Sequence, residues 1–158
     1  MEAILDHIEA HTDDYLSRLI HACSQPSVSA EGEGLDDMAE LVSDMLVGIG
    51  FDVTLVSPGV EHAPPVVLGR IRGRSDRILL FYNHYDVQPV DPLDEWGTPP
   101  FEPDMRDGKV YARGTADNKG SIVSRVCALE AYLAHRAKLP VNIVWVIEGE
   151  EEIGSPHL

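Results

Sequence analysis

A histidine and an aspartate two positions apart, His84 and Asp86, are the first residues whose types and spacing suggest chemistry. They follow the continuous apolar run from Ile78 to Tyr82, and Pro89 comes shortly after them, which predicts a strand buried on both faces. Residues i and i+2 of an extended chain share a face, so Asp86 can hold one nitrogen of an imidazole whose other nitrogen binds a metal ion. Taken by itself, this short pattern fits better with an ordinary turn that carries a solvated His and Asp.

Four glutamates within five residues form a second candidate, in the stretch EGEEE at positions 148–152. This stretch directly follows the apolar run from Val141 to Ile147, which predicts another buried strand. Carboxylates this close together repel one another, and burying them unpaired is costly. A bound cation would offset that repulsion and leave one carboxylate free as a general base. The alternative is a solvated acidic turn.

Asp117 is the third candidate, and it immediately precedes a predicted helix from Asn118 to about Arg136. The N–H groups and the macrodipole at a helix N-terminus favour an ionised carboxylate, so a plain N-cap is the alternative reading. In open α/β sheets, functional groups gather beyond the carboxyl ends of the strands. The conjunction of Asp117 with a histidine and an acidic cluster at two strand ends therefore favours one metal site over three unrelated features.

The rest of the chain supplies elements that can position these groups. Apolar residues at helical spacing predict helices, and alternating or continuous apolar runs predict strands. The predicted helices are Glu2 to about Cys23, Leu35 to Ile49 and Asn118 to Arg136, and the predicted strands are Phe51 to Val56, Pro65 to Ile71, Ile78 to Tyr82 and Val141 to Ile147. Strand, helix and strand in succession suggest a parallel crossover, so we expect an α/β fold with a mostly parallel sheet flanked by helices.

Composition excludes several classes of function. The chain has 158 residues, with 27 acidic and 12 basic residues and a formal net charge of −15, so it lacks the basic face that nucleic acid needs. No apolar run approaches the ~20 residues that cross a bilayer, and no signal peptide is recognisable. Cys23 and Cys127 are far apart and form no CxxC motif. We expect a cytoplasmic protein that binds neither nucleic acid nor membranes.

Several motifs together resemble the metallopeptidase family M20. They are NHYDVQP at 83–89, Trp96 with PFEP at 100–103, DGKVYARG at 107–114, DNKG at 117–120 and EGEEEIGS at 148–155. Their order and spacing fit the family from residue 78 to 155, and the form HYDVQP is closest to the dipeptidase branch. Asn83 and Ala112 stand where glycine is common in the family. The resemblance implies a zinc exopeptidase-like catalytic domain.

The resemblance also implies a role for each candidate residue. His84 would bind one zinc ion with Asp86 as its orienting carboxylate, and Asp117 would bridge two zinc ions. Glu151 would be the general base and Glu152 a ligand of the second zinc ion, with Glu150 as the alternative register. These five residues, His84, Asp86, Asp117, Glu151 and Glu152, should converge at the carboxyl edge of the sheet. A complete site would hold two Zn²⁺ ions, with Mn²⁺ or Co²⁺ as alternatives, and a cis peptide between Asp117 and Asn118.

The implied activity is hydrolysis of a peptide or amide bond, by water held between two metal ions and deprotonated by Glu151. A dipeptide is the expected substrate. An N-acyl amino acid deacylase of the same family is one alternative, and a non-catalytic remnant that binds metal or a partner protein is another.

The family's remaining metal ligands have no counterpart in the chain, and His157 is too near Glu152 to be the family's distal histidine. We therefore expect residues 1–158 to be the N-terminal portion of the catalytic domain, without the C-terminal half or the lid and dimerisation domain. The chain by itself should be inactive, and the full-length form should be a homodimer.

Overall fold

The structure of the protein is a computed structural model that describes all residues from 1 to 158. It contains four α-helices and six strands. The helices are α1 (Glu2–Ala10), α2 (Thr12–Ser24), α3 (Leu35–Gly48) and α4 (Lys119–His135), and the strands are β1 (Asp52–Val56), β2 (Val66–Ile71), β3 (Ile78–His84), β4 (Asp104–Arg106), β5 (Lys109–Tyr111) and β6 (Asn142–Glu148). The predicted elements are present with boundaries shifted by a few residues, and β4 and β5 form a separate short hairpin.

The predicted N-terminal helix is divided into α1 and α2 at His11. Side chains at the break form hydrogen bonds with the last carbonyls of α1. The hydroxyl of Thr12 donates to the carbonyls of Ile8 and Glu9, both at 3.0 Å, and His11 Nδ1 lies 2.8 Å from the carbonyl of His7. Such side-chain hydrogen bonds compete with the helical pattern.

The main sheet has the strand order β1-β2-β6-β3. The α/β class with helices flanking a sheet is confirmed, but the prediction of a mostly parallel sheet is wrong. Only β3 and β6 are parallel, whereas β1 with β2 and β2 with β6 are antiparallel. Chain connections explain the difference: a short loop joins β1 to its neighbour β2 and requires them to be antiparallel, whereas β3 reaches β6 through the long crossover that contains α4.

The prediction that β3 is buried on both faces is also wrong, because β3 lies at an edge of the sheet. Ile78, Leu80 and Tyr82 share one face and are 66%, 63% and 45% exposed. On the other face, the ring of Phe81 meets the fully buried ring of Trp145 at a centroid distance of 5.3 Å. A continuous apolar run is therefore compatible with an edge strand of which one face packs on the core.

The core joins one face of the sheet to α3 and α4. Its buried members include Trp145 and Ile147 of β6, Met38 and Leu46 of α3, and Val126 of α4. None of the helices has the length and hydrophobicity needed to cross a membrane.

The two N-terminal helices pack against α4, and the segment after α2 holds the loop that follows β3. Arg18 and Glu130 form an ion pair of 2.6 Å between α2 and α4. Beyond α2, the buried hydroxyl of Ser27 donates to the carbonyl of Tyr85 at 2.7 Å, and the N–H of Val87 donates to the carbonyl of Ser27 at 2.9 Å. This double connection fixes the backbone on both sides of Asp86.

Candidate metal centre

Three of the predicted site residues meet at one edge of the sheet. His84 is the last residue of β3, Asp117 lies just before α4, and Glu152 lies in a short 3-10 turn, Glu151–Ile153, that follows β6. One ligand atom from each of the three side chains lies within 4.8 Å of the other two, and His84 Nε2 is 3.0 Å from Asp117 Oδ1. The parallel register of β3 and β6 places His84 opposite Glu148, so the carboxyl ends of the two strands deliver their side chains to the same place.

Asp86 connects the histidine to the acidic turn. Its carboxylate is fully buried, and Oδ1 lies 3.3 Å from His84 Nδ1. The same carboxylate accepts hydrogen bonds from the backbone N–H groups of Glu151 at 3.2 Å and Glu152 at 3.0 Å. Asp86 thus orients the imidazole and also fixes the main chain that carries two further site residues.

The four glutamates at the end of β6 and in the turn that follows it divide into two pairs with different surroundings. Glu148 and Glu150 are buried, and each has its own partners: Glu148 accepts hydrogen bonds from Tyr82 and Ser155, and Glu150 pairs with His157 Nδ1 at 2.9 Å. Glu150 is absent from the group of converging ligand atoms, and so is His157.

Glu151 and Glu152 are the members of the stretch that face His84. Glu151 Oε2 is 3.8 Å from His84 Nε2, and the side chain of Glu151 is 43% exposed. Glu152 contributes a ligand atom to the group. The carboxylates beside His84 are therefore those of Glu151 and Glu152, whereas that of Glu150 is paired with His157.

Hydrogen bonds and nearby charges outweigh burial in the titration behaviour of His84 and Asp86. Burial lowers the pKa of His84, but the hydrogen bond to Asp86 and the charges of Asp86, Glu151 and Asp117 outweigh it and raise the pKa to about 9. Burial raises the pKa of Asp86, but its hydrogen bonds to His84 and to the N–H of Glu152 outweigh it and lower the pKa. The surroundings of His84 are therefore strongly anionic and favour a positive charge beside the imidazole.

The donor set fits a divalent metal ion. One imidazole and two carboxylates are ligands that such ions accept, and they lie close enough together to share one ion or to contribute to a pair. The second nitrogen of His84 faces a carboxylate, as is usual for a histidine that binds metal. The peptide between Asp117 and Asn118 is cis, as the resemblance implied.

Two further residues help to build the site and were not singled out from the sequence. Gln88 Nε2 donates to the carboxylate of Glu152 at 2.7 Å and to its main-chain carbonyl at 3.1 Å. Tyr85 is fully buried and packs so closely on Gly149 that any side chain at position 149 would collide with its ring. The only sequence signal for Gln88 and Tyr85 was that both lie in the motif NHYDVQP, which resembles the family.

Known proteins resemble the chain in both sequence and fold. The model of peptidase family M20/M25/M40 matches residues 80–158. Beta-Ala-His dipeptidase of Homo sapiens is 34% identical over 172 residues, which cover 100% of the chain and 34% of that protein. Cys-Gly metallodipeptidase dug1 of Schizosaccharomyces pombe is 32% identical over 170 residues, which cover 100% of the chain and 36% of that protein.

The crystal structure of human carnosine dipeptidase 1 superposes with a TM-score of 0.91 at 33% identity, covering 99% of the chain and 36% of that structure. The chain spans about a third of the length of the curated relatives it matches. The family model covers half of the residues, including the strand ends and the turn that carry the converging side chains. On these grounds the chain belongs to peptidase family M20/M25/M40.

Proposed function

We propose that the protein is a zinc-dependent hydrolase that cleaves dipeptides, with His84, Asp117 and Glu152 as metal ligands. The observation that carries this proposal is the convergence of these three side chains within 4.8 Å, beside the exposed carboxylate of Glu151. The choice of substrate is supported by two relatives, which are named Beta-Ala-His dipeptidase and Cys-Gly metallodipeptidase.

Each residue has a distinct task in the proposed reaction. Zinc held by His84, Asp117 and Glu152 would supply a Lewis acid that polarises the carbonyl of the scissile bond and makes water more acidic. The carboxylate of Glu151 would accept a proton from the attacking water as the water oxygen bonds to the carbonyl carbon, and would then give that proton to the amine nitrogen as the C–N bond breaks. Asp86 holds the imidazole of His84 in one orientation and keeps the backbone of Glu151 and Glu152 in place.

The proposal extends to the whole protein. Residues 1–158 would be the N-terminal portion of a catalytic domain. The chain covers about a third of the length of its relatives, which supports this. The family resemblance supports a complete site with two zinc ions and a homodimeric full-length form. We also propose that the whole protein is cytoplasmic. Cys23 and Cys127 support this, because both are buried and form no disulfide, as is usual in a reducing compartment.

The test compares two neighbouring glutamates in the full-length protein. Glu151→Gln should lower the turnover of β-Ala-His or Cys-Gly by about 10²–10⁴-fold, the usual contribution of a general base, with the zinc content unchanged. Glu150→Gln is the matched control, because this carboxylate pairs with His157 instead of joining the site. His84→Ala should lower both the zinc content and the turnover.

Three outcomes separate the alternatives. Turnover of N-acyl amino acids in preference to dipeptides would favour a deacylase. Zinc binding that is independent of His84, or no zinc binding at all, would contradict the metal centre. Unchanged dipeptide turnover in Glu151→Gln would contradict the assignment of the general base.

A further inference from the structure

One buried side chain, that of Asn83, connects the three elements that carry the candidate ligands. Asn83 is only 2% exposed and lies on β3, directly before His84. Its Oδ1 accepts hydrogen bonds from Trp145 Nε1 of β6, at 3.0 Å, and from the guanidinium of Arg125 in α4. Its Nδ2 donates to Oδ1 of Asn118, the residue that follows Asp117.

The orientation of the Asn83 amide is determined by its neighbours. Trp145 Nε1 and the guanidinium of Arg125 can only donate hydrogen bonds, so the oxygen of Asn83 must face them. Arg125 is held in place by a second hydrogen bond, from the same guanidinium nitrogen to the carbonyl of Tyr82 at 3.1 Å. The NH₂ group of Asn83 therefore has to point towards Asn118, since a flipped amide would leave the buried N–H of Trp145 without an acceptor and would turn the NH₂ group towards Arg125.

We propose that Asn83 is a positioning residue that keeps the Asp117 carboxylate beside His84 by fixing the side chain of Asn118. The proposal rests on the proposed function, since it assigns His84 and Asp117 as metal ligands. Asn83 is adjacent to His84 in sequence, and Asn118 is adjacent to Asp117, so one hydrogen bond between the two amides links the segments that carry both ligands. His84 Nε2 and Asp117 Oδ1 lie 3.0 Å apart.

Asp117 depends on such support because its own side chain has little. That side chain is 72% exposed, and its partner in the structure is His84. An exposed aspartate can adopt more than one rotamer, and each rotamer that points away from His84 weakens the binding of a metal ion. Residues that orient metal ligands from behind typically change metal affinity by about 10–100-fold when they are removed.

A double-mutant cycle on the full-length protein tests the proposal. Asn83→Ala and Asn118→Ala should each weaken zinc binding by about tenfold, and the double variant should bind no more weakly than either single variant. The measurement is competition for zinc with a chelator of known affinity. The absorption spectrum of the cobalt-substituted protein should change in the same way in both single variants, because it reports the arrangement of the ligands.

Controls separate positioning from general stability. Asn142→Ala is the matched control, since Asn142 is also on a strand of the sheet and its side chain accepts a hydrogen bond from the N–H of Gly73 at the opposite end, at 2.9 Å. It should lower the free energy of unfolding and leave zinc affinity unchanged. Asn118→Ala leaves the contacts of Asn83 with Trp145 and Arg125 intact, so it tests the link even if Asn83→Ala folds poorly.

The failure of this proposal is distinguishable from failure of the proposed function. Zinc binding that depends on His84 but stays within twofold of wild type in Asn83→Ala or Asn118→Ala would overturn the role of Asn83 alone. Losses that multiply in the double variant would also overturn it, since the two residues would then act independently. If His84→Ala leaves zinc binding unchanged, the metal centre itself is wrong.

Discussion

Gly149 is the position where one added methyl group should disturb the site most directly. A Cβ built at this glycine lies 2.4 Å from Cζ and Oη of Tyr85 and 2.6 Å from Cε2. Tyr85 has no room to move away, because it is fully buried and its hydroxyl donates a hydrogen bond to the carbonyl of Pro65 at 2.7 Å. Gly149→Ala should therefore push the acidic turn away from the end of β3, which carries His84, and from Asp86 just beyond it.

The expected loss has two contributions. Overpacking a buried site by one methyl group costs about 1–3 kcal/mol. If the ring shifts to relieve the contact, the buried hydroxyl of Tyr85 loses its acceptor, which costs a further 1–3 kcal/mol or so. We expect the free energy of unfolding to fall by about 3 kcal/mol, and zinc affinity to fall with it, since the amides of Glu151 and Glu152 would no longer meet Asp86.

Urea denaturation of Gly149→Ala measures this loss. Gly48→Ala is the matched control: Gly48 is the last residue of α3, a Cβ there meets nothing within 4 Å, and alanine should stabilise the helix by up to about 1 kcal/mol. Adding Tyr85→Leu to Gly149→Ala should cost less than the sum of the two single changes, because the smaller side chain relieves the collision. An unfolding free energy for Gly149→Ala within about 0.5 kcal/mol of wild type would refute the reasoning.

Two further predictions concern buried charges. Asp86→Asn should lower the free energy of unfolding by about 2 kcal/mol, because the two carboxylate oxygens accept from the N–H groups of Glu151 and Glu152, whereas an amide has only one oxygen. Urea denaturation of the chelator-treated protein measures this loss, and equal stability of the two proteins would contradict the prediction. Burial lowers the pKa of Lys119 from 10.5 to about 8, so the folded state disfavours its charged form. The free energy of unfolding of wild type, relative to that of Lys119→Met, should rise between about pH 8 and 10.5, because in this range the lysine keeps its proton only in the unfolded state. Urea denaturation of both proteins across this pH range measures the difference, and a difference that does not change with pH would contradict the prediction.

The meeting of His84, Asp117 and Glu152 could be predicted because each residue is tied to the end of an element with a clear signal in the sequence. His84 ends an apolar strand, Asp117 precedes an amphipathic helix, and Glu152 follows a second apolar strand. Once β3 and β6 are parallel neighbours, these ends must lie together. Which of the glutamates face His84 could not be derived from the local pattern in the same way, since the pairing of Glu150 with His157 depends on a turn that only the folded chain shows.

The errors concern properties that local sequence does not contain. A run such as Ile78 to Tyr82 indicates a strand but not its place in the sheet, so its exposed edge position was missed. The short loop between β1 and β2 accounts for one antiparallel pair, but the antiparallel placement of β2 beside β6 is decided by packing of the whole chain. The division of the N-terminal helix at His11 depends on two side chains, and the apolar spacing continues across it.

The strand order has a consequence for how the protein is made. β6 lies between β2 and β3, although it is the last of these strands to be synthesised. Until residue 148 has left the ribosome, β2 and β3 each have a free edge that β6 will later occupy, and free edges of apolar strands attract other chains. The contacts that β6 must form are distant in sequence, which slows folding. Substitutions that delay the insertion of β6 should therefore reduce the yield of folded protein more than they reduce the stability of the molecules that do fold.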